Sequence, residues 1–157
     1  MPASPEALYP VLAHGRRSEA PKELWSRQAD VLRAYHRLGP EKRDVAIELP
    51  TGAGKTLVGC LIAEWRRRTN GERVAYVAPT RQLAGQAAAQ ARLCGVPTVD
   101  LTGHWRAWNP NEQVRFTQGE AVAFVTYSTV FNARPHISPQ ALVLDFTNSE
   151  SPCVCRS

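Results

Sequence analysis

The chain has 157 residues, a formal charge of +5, 43% hydrophobic residues and 21% charged residues. These are the proportions of one soluble globular domain and exclude a disordered chain, while the positive balance leans towards an anionic partner. No apolar run approaches the roughly 18 residues a membrane-spanning helix needs, and the N-terminus lacks the apolar core of a secretion signal, so no membrane partner and a cytoplasmic location are expected.

In chain order, residues 1–22 (MPASPEALYPVLAHGRRSEAPK) carry four prolines and little periodicity, and they predict a flexible, loosely ordered leader. In ELWSRQADVLRAYHRLG, Leu24, Gln28, Val31, Leu32, Tyr35 and Leu38 recur at helical spacing until Gly39-Pro40 ends the pattern. DVAIEL (44–49) is a short β-rich run. KTLVGCLIAEWRRR (55–68) is an apolar helix whose three arginines fall in the last turn, where the helix dipole favours cations. RVAYVAP (73–79) predicts a second strand, RQLAGQAAAQARLCG (81–95) a helix stopped by Gly95, and PTVDLTG (97–103) a third strand. NPNEQVRFTQG (109–119) predicts a short helix with Asn109 as N-cap and Pro110 at its first position. AVAFVTY (121–127) and ALVLD (141–145) are the fourth and fifth strands. Apolar strands alternating with helices predict an α/β fold: a mainly parallel sheet with helices on both faces.

The strongest chemical signal is ELPTGAGKT, residues 48–56, placed after a strand and at the start of a helix. Gly52 and Gly54 allow a tight turn in which the backbone N–H groups of Thr51, Gly52, Ala53 and Gly54 can converge on one anion, beside the positive end of the following helix. Lys55 can then reach the β- and γ-phosphates of ATP, and the Thr56 hydroxyl can coordinate Mg²⁺. The strict template wants glycine where this chain has Leu49. In such sites an aspartate ending a separate strand also holds Mg²⁺, and Asp145, closing the apolar run 141–144, fits that place better than Asp100. Lys55 and Asp145 are therefore the candidate catalytic residues.

Four cysteines are too few for a disulfide scaffold. Cys60 and Cys94 fall among apolar helix positions, and Cys153-x-Cys155 has no second ligand pair, so no structural metal is expected. His14, His36, His104 and His136 share no catalytic spacing. Trp105, Arg106 and Trp108 allow two readings, a base-stacking platform or aromatics covering a sheet edge beneath a loop, of which the second is preferred.

The order of these segments resembles the first RecA-like domain of a superfamily two helicase of the DEAD/DEAH-box class, over residues 23–145. WSRQADVL resembles the Q-motif region, PTGAGKT motif I, APTRQLAGQ motif Ia, LTG (101–103) the short glycine motif, VTYSTVFN (125–132) motif Ic and LVLD the beginning of motif II. Gln82 in place of glutamate and Gly85 are departures in motif Ia. The resemblance implies a P-loop NTPase in which Gln28 reads the adenine edge, Thr51 to Thr56 bind ATP, and Thr56 with Asp145 holds magnesium. It further implies that Thr80, Arg81, Gly103, Thr126 and Ser128 contact the phosphodiester backbone of single-stranded or duplex nucleic acid.

The family continues motif II with a glutamate that positions the attacking water, whereas this chain has Phe146, with Glu150 five residues beyond Asp145. The family also places a later strand between the P-loop strand and the motif II strand, and takes its arginine finger from a second RecA-like domain. Residues 146–157 therefore read as a non-homologous tail, with the reading frame altered after Leu144 or Asp145 and the sheet incomplete at its C-terminal end. The expectation is a monomeric ATP-binding fragment of a helicase or translocase that needs a second RecA-like domain for activity. The rival readings are a non-catalytic nucleic-acid-binding module and a motor fragment of a restriction- or chromatin-type DNA translocase.

Overall fold

The computed structural model describes residues 2–42, 44–145 and 153–156, with Arg134 and residues 153–156 described by their backbone alone. Six strands form one sheet: β1 (Asp44–Ala46), β2 (Val74–Ala78), β3 (Thr98–Asp100), β4 (Val122–Thr126), β5 (Ala141–Leu144) and β6 (Cys153–Arg156), in the order β1-β6-β5-β2-β4-β3. Strands β5, β2, β4 and β3 pair in parallel, as the alternation of strands and helices predicts. β6 runs antiparallel to both its neighbours, so β1 points the same way as the four parallel strands.

The helices are α1 (Pro5–Val11), α2 (Ser26–Leu38), α3 (Lys55–Asn70), α4 (Arg81–Leu93), α5 (Pro110–Thr117), α6 (Tyr127–Asn132) and α7 (Arg134–Ile137). Period-two alternation sends the strand side chains to opposite faces. Val74 and Tyr76, Val122 and Phe124, and Ala141 and Val143 join one core with α1 to α4. Ala75, Val77, Ala123 and Val125 join the other, with Trp108, Phe116 and Ile137. Both faces of the sheet are covered, which is why its central strands carry almost no polar residue. No described helix is long and apolar enough to cross a membrane.

α3 lies at the centre of the first core, and its residues from Leu57 to Arg66 are buried. Glu64, Arg66, Arg67 and Arg68, in its C-terminal half, are held in ion pairs. Glu64, with no exposed surface, accepts from Arg67 at 2.7 and 2.8 Å and from Arg68 at 2.5 Å. Arg66 clamps Glu72 at 2.6 and 2.7 Å and donates to the Tyr35 hydroxyl at 3.0 Å. The arginines that the dipole argument placed at this helix end thus also neutralise buried acids.

Two expectations from the sequence are overturned. Residues 5–15, read as part of a loosely ordered leader, form α1 and a 3-10 turn (Leu12–Gly15) whose Leu8, Tyr9 and Leu12 are buried in the first core. The cause is local: the Ser4 hydroxyl caps the helix by accepting from the Ala7 N–H at 3.1 Å, and Pro5 takes the first position, where its missing N–H costs nothing. Leu8 and Leu12 then share one helical face, four residues apart.

The second correction concerns the slot between the P-loop strand and the motif II strand, which the resemblance left empty. It is filled by β6, with Val154 facing Val45 on one side and Val143 on the other. Backbone pairing is indifferent to side-chain identity, so a four-residue segment can satisfy the ladder groups of both neighbours. The rest of the expected tail, 146–152 and 157, lies outside the described residues.

Candidate functional site

The C-terminal ends of the parallel strands, where open α/β sheets bind ligands, bring the sequence-predicted residues to one edge. After β1, residues 47–50 belong to no regular element, and Ile47 and Leu49 are buried. Leu49, the departure from the phosphate-loop template, therefore packs into the core.

Residues 50–54 form the turn. The Ala53 N–H donates to the Pro50 carbonyl at 3.1 Å, and Gly52 and Gly54 adopt φ values of +80° and +78°. A side chain would be strained at both positions, and at Gly54 a Cβ would also lie 2.2 Å from Gln28 Nε2. Gly54 caps α3, and its carbonyl accepts from the Val58 N–H at 3.3 Å. The N–H groups of Lys55, Thr56 and Leu57 precede that bond, so this helix end presents donors and the positive end of the dipole. Lys55 and Thr56 are half-buried there.

Gln28, buried in α2, clasps this loop. Its Nε2 donates to the Ala53 carbonyl at 2.9 Å, and its Oε1 accepts from the Trp25 N–H at 3.0 Å. A carboxamide carries two N–H donors and two acceptor lone pairs, so each end retains capacity for a base edge. Trp25 is exposed, and with Ser26, Arg27 and residues 50–53 it lines a cavity of about 370 Å³ beside the loop.

Asp145 follows β5 and is buried. Its N–H donates to the Val77 carbonyl at 2.8 Å, and its carbonyl accepts from the Tyr127 hydroxyl at 3.3 Å. The Tyr76 hydroxyl donates to its Oδ2 at 2.7 Å, and the Thr56 side chain lies close enough to influence that same hydroxyl without a direct hydrogen bond to it. Thr56 and Asp145 thus meet around one phenol. Burial, followed by the neighbouring Cys60 and Asp145, pushes the Tyr76 hydroxyl well above its ordinary pKa, so it stays a donor at neutral pH. A threonine hydroxyl and a carboxylate are hard oxygen donors of the kind Mg²⁺ takes beside phosphate, so this pair fits the ion that the family implies.

Sequence reasoning missed Tyr76. The available signal was a phenol in an otherwise aliphatic strand, VAYVA, because a buried tyrosine hydroxyl needs a partner. Phe146 and Glu150, singled out in the sequence, lie outside the described residues.

The residues expected at nucleic acid divide into two groups. Thr80 caps α4, accepting from the Leu83 N–H at 3.2 Å, and it is exposed together with Arg81. The Arg81 guanidinium lies 3.8–4.0 Å from where a Cβ of Gly103 would sit, and Gly103 has φ +79°. Gly103 and Ser128 line one cavity of about 310 Å³ with His104, Trp105 and Asn132. Thr126, by contrast, is buried. Its hydroxyl caps α6 by accepting from the Thr129 N–H at 3.3 Å, and it lies 3.0 Å from the Ser128 hydroxyl.

Trp108 is buried and donates through Nε1 to the Thr102 carbonyl at 3.2 Å, as an aromatic covering the sheet edge. Trp105 is already stacked with His136 at 3.9 Å and His104 at 5.8 Å, with the Arg106 guanidinium 5.1 Å from its ring centre.

The family model for DEAD/DEAH box helicases matches residues 26–145. Among curated proteins, the chain is 34% identical over 94 residues to the ATP-dependent DNA helicase mph1 of Aspergillus terreus, covering 57% of this chain and 8% of that protein. It is 31% identical over 91 residues to the protein of the same name from Aspergillus fumigatus, again with 57% and 8% coverage. The chain therefore spans less than a tenth of the length of these relatives. The family match runs from the Q-motif region to Asp145, over most of the chain, and by it the chain belongs to the DEAD/DEAH box helicase family.

Proposed function

We propose that this chain is the ATP-binding RecA-like part of an ATP-dependent helicase or translocase and binds Mg-ATP and a nucleic-acid strand, with little hydrolysis or unwinding of its own. The observation that carries this reading is the meeting of Thr56, at the head of the glycine turn, with Asp145, from a strand two places away in the sheet. In it, the backbone of 51–54 and Lys55 receive the phosphates, Thr56 and Asp145 hold Mg²⁺, and Gln28 meets the adenine edge with its remaining capacity. Bound there, Mg²⁺ would neutralise charge on the β- and γ-phosphates. Thr80, Arg81, Gly103 and Ser128 take the strand backbone, and Thr126 supports Ser128. The relatives are named DNA helicases, which favours DNA as the strand.

Weak hydrolysis is supported by Phe146, which stands where the family carries the water-positioning glutamate. Phosphoryl transfer depends on that positioning as much as on the phosphate clamp. The test is to measure equilibrium ATP binding and single-turnover hydrolysis on one preparation, with and without single-stranded DNA. Retention of bound ATP without strand-stimulated turnover is the expected result. Turnover at about 1 s⁻¹ or faster, as in working enzymes, overturns the weak-hydrolysis reading, and an absence of ATP binding overturns the whole.

A further inference from the structure

Tyr76 serves no obvious need of the sheet. Its ring stacks on Phe124 at a centroid distance of 5.1 Å, and phenylalanine would fill the same space. What tyrosine adds is one oxygen, placed between two residues that lie far apart in sequence. The hydroxyl donates to Asp145 Oδ2 at 2.7 Å, and Thr56 is a near neighbour that is not hydrogen-bonded to it.

The placement depends on Gly59, one turn after Thr56. A Cβ there would lie 3.0 Å from Tyr76 Cε2 and 3.2 Å from Val143 Cγ1, so a side chain at 59 would require Tyr76 or Val143 to give by a few tenths of an ångström, and glycine leaves α3 close against β2 and β5. Asp145 is buried, and a buried carboxylate without a fixed donor has no single orientation and a large desolvation cost.

We propose that Tyr76 is a positioning residue of the cation site: its hydroxyl holds one oxygen of Asp145, and with it the relation of that carboxylate to Thr56, so that both are in place before the cation arrives. This rests on the nucleotide site proposed above. Hydrogen-bond partners that orient metal ligands typically change metal affinity by about ten- to a hundredfold when removed. The effect of losing the hydroxyl should therefore fall on the magnesium-dependent part of nucleotide binding. The phosphate loop, which Tyr76 does not touch, should be spared.

The experiment compares affinities for a fluorescent ATP analogue in Mg²⁺ and in EDTA, for wild type, Tyr76→Phe, Asp145→Asn and the double variant, with circular dichroism confirming the fold of each. Wild type should bind more tightly in Mg²⁺. Tyr76→Phe should keep the EDTA affinity and lose most of the magnesium gain, by roughly tenfold or more. Adding Tyr76→Phe to Asp145→Asn should remove nothing further, because the hydroxyl acts through that carboxylate.

A Tyr76→Phe variant with the wild-type magnesium gain overturns the inference and leaves the nucleotide site standing. Equal losses in Mg²⁺ and in EDTA also overturn it, by making Tyr76 a packing residue of the whole site. Wild-type binding that is unaffected by Mg²⁺ removes the metal assignment itself. Should Tyr76→Phe fail to fold, the same comparison on Tyr76→Leu, which also lacks the hydroxyl, decides the point: an unchanged magnesium gain overturns the inference and a loss confined to Mg²⁺ supports it.

Discussion

At the scale of single residues, one side chain and one missing side chain, far apart in sequence, decide whether the glycine turn keeps its shape. Gln28 holds the Ala53 carbonyl, and Gly54 leaves room for the Gln28 amide. Gly54→Ala combines a positive φ with a 2.2 Å approach, so neither the loop nor the glutamine can stay in place. It should abolish detectable nucleotide binding, as measured by fluorescence titration. Gln28→Ala removes the clasp and leaves a buried carbonyl without its donor, at a cost of about 1–3 kcal/mol in urea unfolding. It should also weaken nucleotide binding. Gly54 stands out in the sequence because phosphate binding constrains a short, contiguous stretch, and Gln28 only through the resemblance of WSRQADVL to the Q-motif region. For Tyr76 the sequence offers only a phenol in an aliphatic strand, because its partner lies 69 positions away and the pairing exists only once the sheet has formed.

At the scale of elements, local signals are legible where the cap and the periodicity agree, and elements defined by distant pairing are not. Asn109-Pro110 predicts the start of α5 because the cap and the first-turn proline act within three residues, and Asn109 accepts from the Asn111 N–H at 2.9 Å. α1 was hidden by its prolines, which read as breakers although Pro5 sits where proline starts a helix. Its anchoring makes a testable difference. Leu8→Ala should destabilise the protein by about 2–5 kcal/mol in chemical unfolding, whereas a solvated leader would show almost no change. α3 makes a second case, because Glu64 has no exposed surface and two arginine partners. Glu64→Ala should cost about 3 kcal/mol, since it strands two partly buried cations, and the same unfolding measurement reads it. β6 is four residues without a pattern, and only its neighbours define it. Val154→Pro removes a ladder N–H there, so peptides covering β1 and β5 should exchange their amide hydrogens faster than in wild type.

At the scale of the whole molecule, the sheet gathers the ends of five parallel-pointing strands, and the proposed chemistry divides along that edge. The glycine turn and Asp145 lie towards one side, beneath β1 and β5, while Arg81, Gly103 and Ser128 follow β2, β3 and β4 on the other. Nucleotide and strand would thus share one rigid edge without competing for residues. The strand side carries a single charged candidate, Arg81, so its affinity should fall with salt with a shallow slope, roughly one unit of log K per unit of log salt for each phosphate neutralised. The central claim is that the turn at 51–54, Lys55 and Asp145 form a nucleotide site, and calorimetric titration of Mg-ATP into wild type and Lys55→Ala tests it most directly. Wild type should bind saturably, and the variant should lose about tenfold or more in affinity, as expected when a charged phosphate contact is removed. Equal affinities for the two proteins would contradict it.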